Sequence, residues 1–204
     1  MTPHEQLRDA QISHAVGLRR LDAGILRRII GLLDATEDDL AVQIRQRLAS
    51  IDGPFPLSQA ETERLREMLS RLRGIRDDAY AVVNDTLRDE MIDLAQYEVE
   101  FQQRLTADNL GIDLTAPSVG TLRAAVTRRP FQGRLLRDWA RGLRDIDRQR
   151  IADEINIGLV EGEGIERIVR RIRGTRRRRY RDGVLEISRR NAAAVVRTAV
   201  SHTQ

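Results

Sequence analysis

The three histidines are the first side chains to consider for chemistry, because imidazole is the side chain that titrates near neutral pH. They are His4, His14 and His202. None belongs to an H-E-x-x-H sequence, in which two histidines on one helix face bind zinc. Ser201 next to His202 would point away from it on a helix. Since the chain also has no cysteine, we expect no metal site, no cofactor and no enzymatic activity.

A glycine- and acid-rich segment is the second candidate for chemistry. Gly158, Gly162 and Gly164 surround Glu161 and Glu163. A phosphate-binding loop would need a G-x-x-x-x-G-K pattern after a strand, and the segment has neither. Its carboxylates would also repel phosphate. We therefore interpret the segment as a turn that joins two helices.

An arginine-rich segment, residues 170–181, is the strongest candidate for binding. We predict nucleic-acid contact by its arginines: Arg170, Arg171, Arg173, Arg176, Arg177, Arg178, Arg179 and Arg181. The main contacts would come from Arg176–Arg179 and Arg181. Repulsion between these charges predicts a mobile loop until a polyanion neutralises them. Binding to phosphates would depend on salt but not on sequence, and Tyr180 can stack on a base. The alternatives are a solvated loop, or one paired with acids of a neighbouring subunit.

Charge is distributed unevenly along the chain. All 35 basic residues are arginine, whose planar guanidinium group suits phosphate and carboxylate. Residues 1–122 hold 14 arginines and 21 acids, a net charge of −7. Residues 123–204 hold 21 arginines and 10 acids, a net charge of +11. This asymmetry predicts two surfaces with different partners, the basic one facing nucleic acid or the acidic half of a neighbouring copy.

The sequence shows no signal for a membrane or for secretion. The first residues, MTPHEQLRDAQ, lack the basic and apolar regions of a signal peptide. No stretch approaches the roughly 18 apolar residues of a membrane-spanning helix. We expect neither feature.

Hydrophobic periodicity predicts an all-α protein, with an elongated helical hairpin or bundle followed by a smaller helical C-terminal domain. Predicted capping boxes start two helices, Thr36 with Asp39 and Ser58 with Glu61. The predicted helices are about 3–33, 36–50, 58–105, 118–127, 134–159, 165–172 and a final helix over NAAAVVRTAV. No strand is predicted, although residues 184–187 are ambiguous.

The helix over about 58–105 is the longest, and it needs another helix to cover its apolar stripe. That helix comes either from the same chain, as a hairpin, or from a neighbouring copy in a coiled-coil-like contact. The sequence NLGIDLTAP, residues 109–117, predicts a linker. It separates an N-terminal helical domain, 1–108, from a C-terminal helical domain, 118–204. Trp139 is the predicted core anchor of the latter.

The C-terminal third resembles a known family. INIGLVEGEGIERIVRRIRG and DGVLEISRRNAAAVVRTAVSHTQ are similar to the conserved pattern of the phage head morphogenesis family, which includes the minor head protein of phage Mu. The matching positions are Ile155, Gly158, Leu159, Gly162, Ile165, Ile168, Ile172, Arg190, Ala192 or Ala193, Val196, Arg197, Thr198 and Val200. The family's N-terminal part is helical and variable.

The resemblance implies a non-enzymatic minor structural protein inside the head of a tailed phage, assembled in the host cytoplasm. Its partners would be the portal protein, other head proteins and double-stranded DNA, without a membrane, and the chain would form a homo-oligomer. Its role would lie in head assembly, genome packaging or ejection. The alternatives are a sequence-nonspecific nucleic-acid-binding helical protein and a purely structural head–tail connector or ejection protein. We expect Arg197 and Thr198 to serve packing and capping, with Arg197 paired to Glu161, Glu163 or Asp182.

Overall fold

The protein is all-α. A computed structural model describes residues 3–51 and 56–203, with side chains from residue 5 onwards, so that His4 lies outside the described side chains. The helices are α1 (Pro3–Ala35), α2 (Glu37–Leu48), α3 (Gln59–Leu110), α4 (Val119–Arg128), α5 (Leu136–Val160), α6 (Ile165–Arg173) and α7 (Leu185–Thr203), with a 3-10 helix at Arg176–Arg178. Within these ranges no strand forms. The ambiguous residues 184–187 lead into α7. No described helix combines the length and apolar composition needed to cross a membrane.

One of the two predicted capping boxes forms. The amide of Glu61 donates to Oγ of Ser58 at 3.3 Å, and the amide of Ser58 donates to Oε2 of Glu61 at 2.9 Å. The box predicted at Thr36 is wrong. Thr36 has helical backbone angles and makes no side-chain cap. Its hydroxyl instead donates to the carbonyl of Leu33 at 3.0 Å, since the backbone continues almost unbroken from α1 into α2.

The described residues form two compact units, which do not follow the predicted boundaries of 1–108 and 118–204. Unit 1 consists of residues 3–29, 84–139 and 194–203, and unit 2 consists of residues 30–51, 56–83 and 140–193. Each unit therefore takes segments from both predicted domains. The reason is that α1, α3 and α7 each contribute residues to both units.

In unit 1, α3 packs against α1 of the same chain, as the hairpin alternative predicts. Nε2 of His14 lies 3.1 Å from both carboxylate oxygens of Glu98, and Nη2 of Arg28 donates to Glu90 at 2.6 Å. Buried side chains of α1, α3, α7, the start of α5 and the segment before it form its core: Ile25, Ile29, Leu87, Met91, Leu94, Phe131, Leu136, Val196 and Val200. The predicted linker begins after Leu110 and has no regular structure until Ser118.

In unit 2, the core joins five helices. Its buried side chains are Leu40, Ala41, Ile44 and Leu48 of α2, Met68 and Leu72 of α3, Ile151 and Ile155 of α5, Ile168, Val169 and Ile172 of α6, and Leu185 of α7. The short helix α6 is thus fixed to the unit by one apolar face, which determines where its arginines lie.

A buried ion pair joins α3 to α5 in unit 2. Nε of the buried Arg76 donates to Oδ2 of Asp147 at 2.5 Å, and Ser188 donates to Oδ1. Asp147 is 1% exposed, while the neighbouring Ile146 is 46% exposed. Hydrophobic periodicity does not detect such a polar pair.

Candidate nucleic-acid interface

The turn before α6 joins it to α5, as predicted, and it also caps the C-terminus of α5. The amide of Glu163 donates to the carbonyl of Gly158 at 2.8 Å, and that of Gly162 donates to Leu159 at 3.1 Å. Gly162 has φ of +67°, the left-handed conformation that this cap requires. The glycine- and acid-rich segment therefore connects α5 to α6.

Close contact between α5 and α6 depends on Gly158. A Cβ atom at this position would lie 2.5 Å from Cγ1 of Ile168, which is closer than two carbon atoms can approach. Ile168 and Ile172 are each 1% exposed. Packing therefore explains why Gly158 and the isoleucines of α6, which belong to the family-like pattern, occur together.

Arg171 is paired with three acids of unit 2. Its guanidinium group donates to Glu154 at 2.8 Å, to Glu161 at 2.9 Å and to Glu163 at 3.1 Å. The hydrogen bond to Glu154 is the largest cause that raises the pKa of Arg171. Three carboxylates already surround this cation. Arg171 is therefore poorly suited to the phosphate contact that was predicted for it.

Arg173 is also occupied. It pairs with Asp38 of α2, and its guanidinium carbon lies 4.7 Å from the ring centre of Tyr180. Tyr180 is half-buried under this cation. The same contact uses the ring that was predicted to stack on a base. Arg170, in contrast, is exposed, and its Nε donates to the carbonyl of Glu166 at 3.1 Å.

The segment after α6 folds into a closed loop. Its two ends cross at Gly174 and Gly183. A Cβ atom on Gly183 would overlap the backbone nitrogen of Gly174 and the carbonyl carbon of Arg173. The amide of Val184 donates to the carbonyl of Arg171 at 3.0 Å. Only glycine permits the backbones to approach this closely.

Thr175 and Asp182 close the loop between these ends. The amide of Thr175 donates to Oδ1 of Asp182 at 2.7 Å, and its hydroxyl donates to Oδ2 at 2.8 Å. These two hydrogen bonds, the backbone one first, lower the pKa of Asp182. Sequence reasoning missed this clamp, although Gly174-Thr175 and Asp182-Gly183 flank the run almost symmetrically.

Backbone turns inside the loop direct its arginines outwards. Residues Arg176–Arg178 form one 3-10 turn. Arg179 and Tyr180 then take left-handed angles, with φ of +53° and +59°. The amide of Tyr180 donates to the carbonyl of Thr175 at 2.9 Å, which holds this reversal in place.

The exposed arginines of the closed loop, Arg176–Arg179 and Arg181, form the candidate interface. Among the side chains of residues 5–51 and 56–203, none forms a hydrogen bond or ion pair with their guanidinium groups. Five cations are thus displayed on a backbone of fixed shape. Such a surface suits a polyanion, because neutralising phosphates would release counterions without an ordering cost for the loop.

The side chains that were considered for chemistry, His14, Ser201 and His202, have other surroundings in the structure. Nε2 of His14 contacts Glu98, and its ring stacks on Phe101 at 3.5 Å between ring centres. His202 and Ser201 are exposed on α7, with the ring of His202 5.7 Å from that of Phe131. Among the described residues, no group of three or more histidine and acidic side chains is placed to hold a metal ion.

The final helix carries the second half of the family-like pattern. Val196 and Val200 are buried, at 1% and 3% exposure, and the Thr198 hydroxyl donates to the carbonyl of Ala194 at 2.9 Å. Arg197 is exposed. Its three predicted partners are engaged elsewhere: Glu161 and Glu163 bind Arg171, and Asp182 binds Thr175. The predicted pairing of Arg197 is therefore wrong.

Comparison of the chain with protein-family models, with curated proteins and with solved structures found no match. The features that bear on function are therefore the geometry of the arginine-rich loop and the residue pattern around it.

Proposed function

We propose that the protein is a non-enzymatic minor structural protein of a tailed-phage head, which contacts the packaged double-stranded DNA through Arg176–Arg179 and Arg181. The observation that carries the DNA contact is the closed loop itself, which displays five arginines without carboxylate partners among the described residues. The placement inside a phage head rests on the resemblance of residues 155–204 to the phage head morphogenesis family.

The proposed contact is to the DNA backbone. A loop of five arginines and one occupied tyrosine offers guanidinium groups, which bind phosphate, and no helix or strand that would enter a groove to read bases. Binding would therefore be independent of sequence. The protein would hold or guide DNA next to the portal and other head proteins during packaging or ejection.

The test replaces Arg176, Arg177, Arg178 and Arg179 with glutamine. We expect affinity for duplex DNA to fall, and the slope of log K against log salt concentration to decrease by roughly 3 to 4, because about 0.9 is lost per phosphate contact. Fluorescence anisotropy over a salt series measures both quantities.

A matched control removes the same charge elsewhere. Arg19, Arg20, Arg27 and Arg71 are exposed helix residues, and their replacement with glutamine should leave the salt slope nearly unchanged. An equal effect of the two quadruple variants would show that net charge, and not the loop, determines binding. That outcome would overturn the assignment of the interface.

The phage-head role needs a separate measurement. Immobilised portal protein should retain the full chain, and particles carrying the loop variant should package or eject DNA poorly. Salt-sensitive DNA binding without portal binding would instead support the alternative of a general nucleic-acid-binding helical protein.

A further inference from the structure

Unit 1 contains an apolar cavity that the proposed function does not use. Its volume is about 220 Å³. The apolar lining includes Met91, Ala95, Val99, Leu122, Val126 and Leu136. For comparison, an engineered apolar cavity of roughly 150 Å³ binds benzene. The space is therefore large enough for the apolar body of a small molecule.

The helix α4 forms one wall of this cavity without being buried itself. None of its residues is fully buried, although Leu122, Ala125 and Val126 face the cavity and are half-buried. Helix stability in proteins comes mainly from packing of an apolar face. An apolar ligand in the cavity would complete the packing that α4 lacks.

Positive charge lies at the rim. Arg129, the residue after α4, and His202 of α7 both line the cavity, and both are exposed. Within the described part of the chain, no side chain pairs with the Arg129 guanidinium group. His202 also lines an adjoining open groove together with Arg197 and Ser201. An anionic group at the rim would thus meet at least one uncompensated cation.

The other polar groups of the lining are already bonded. The single carboxylate, Glu98, directs both oxygens to Nε2 of His14 at 3.1 Å. The hydroxyl of Thr203 donates to the carbonyl of Ala199 at 2.9 Å. The polar groups of the lining that are free to bind a ligand are therefore the basic side chains at the rim. They favour a ligand with an anionic head group.

We propose that this cavity binds a small amphipathic anion, of the class of medium-chain carboxylic acids. The alkyl chain would occupy the space between α3, α4 and α7. The carboxylate would accept hydrogen bonds from Arg129 at the rim, with His202 beside it. The site lies apart in sequence from Arg176–Arg179, and its occupation does not depend on DNA binding.

Titration of the full chain with decanoate, decanol and decyltrimethylammonium, each below its micelle concentration, tests the proposal. These probes share a tail and differ in the head group. Trp139 is the only tryptophan, and its ring lies 5.7 Å from that of the cavity residue Phe131, so its fluorescence reports occupancy. We expect decanoate to bind at least tenfold more tightly than either other probe.

Three variants and a control locate the binding. Arg129→Gln should weaken decanoate binding about tenfold, the effect of one lost charge-assisted hydrogen bond. Arg123→Gln, on the same helix but outside the lining, should have no effect. Ala125→Leu should abolish binding by filling the space. Because α4 has no buried residue, this variant should keep its helix content, and Val126→Phe serves as a second filling variant.

Three results would overturn the proposal. Equal affinity for all three probes would show an unselective apolar cavity. Full decanoate binding by both filling variants would place the ligand elsewhere. Absence of any fluorescence or calorimetric signal with decanoate would show that the cavity does not take this class of ligand.

Discussion

At the scale of single residues, the surroundings decide what an arginine does. Arg76, Arg171 and Arg173 have the same guanidinium group as Arg176, yet the first three are held by acids of unit 2. Arg76 is the extreme case, at 1% exposure. Nη1 of Arg76 also donates to the Thr36 hydroxyl at 2.9 Å, so this pair connects four helices of the unit. Candidate binding residues are therefore those left without an internal partner.

The buried pair gives a stability prediction. Arg76→Met leaves the charge of Asp147 buried and unpaired, and we expect it to lower the free energy of unfolding by roughly 3–5 kcal/mol. The double variant Arg76→Met with Asp147→Leu should recover most of that loss, because it removes both charges. Urea unfolding followed by circular dichroism measures each difference.

An exposed ion pair supplies the control for these variants of the buried pair. Arg88 contacts Asp85 at 2.8 Å and Asp89 at 3.0 Å on the surface of α3. Arg88→Met should cost less than about 1 kcal/mol, since water solvates the charges that remain. Similar losses for Arg76→Met and Arg88→Met would refute the importance assigned to burial.

At the scale of elements, the loop between α6 and α7 shows how close backbone contact fixes an otherwise repulsive segment. Repulsion between the eight arginines of residues 170–181 favours an open conformation of this segment. The crossing of Gly174 with Gly183 and the clamp between Thr175 and Asp182 oppose it. The loop therefore holds its cations close together, and its shape depends on Gly174, Gly183, Thr175 and Asp182.

Gly183→Ala tests this dependence. The added methyl group would collide with the backbone at Gly174, so we expect a loss on the order of 2 kcal/mol in unfolding free energy. Opening the loop should also weaken DNA binding. Thermal unfolding and anisotropy measure the two effects.

Gly74→Ala is the matched control. Gly74 is exposed inside α3, and a Cβ there would meet no atom within 4 Å. This change should stabilise the protein by about 0.5–1 kcal/mol, because alanine loses less backbone entropy in a helix. If Gly183→Ala behaved like Gly74→Ala, the backbone crossing would not be essential.

At the scale of the whole molecule, the chain is interleaved. Segments 30–83 and 140–193 of unit 2 hold 22 arginines and 19 acids, a net charge of +3, and the segments of unit 1 hold 13 arginines and 12 acids, a net charge of +1. The separation of −7 and +11 along the sequence is therefore mostly cancelled in the fold. Ion pairs such as Arg189 with Asp34 and Arg45 with Glu166 join residues 1–122 to residues 123–204. The charge asymmetry between residues 1–122 and 123–204 therefore does not become an asymmetry between the two units.

Separate expression of residues 1–108 and 118–204 tests the interleaving. Each fragment lacks core residues of both units, so we expect neither to unfold cooperatively, while an equimolar mixture should regain a cooperative transition. Differential scanning calorimetry distinguishes these cases. Cooperative unfolding of the 118–204 fragment alone would instead support a division at the 109–117 linker.

The local sequence by itself determined the secondary structure. Period-3.6 stripes, the Ser58–Glu61 box and the glycine at position 162 specify helices and their ends through short-range physics. Tertiary structure decided which helix faces are buried, which arginines remain free and how the segments divide into units. Those outcomes depend on partners far apart in the chain, such as Asp147 for Arg76 and Asp38 for Arg173. Charge counts and hydrophobic periodicity are read along the chain. They contain no information about which residues far apart in the sequence come into contact.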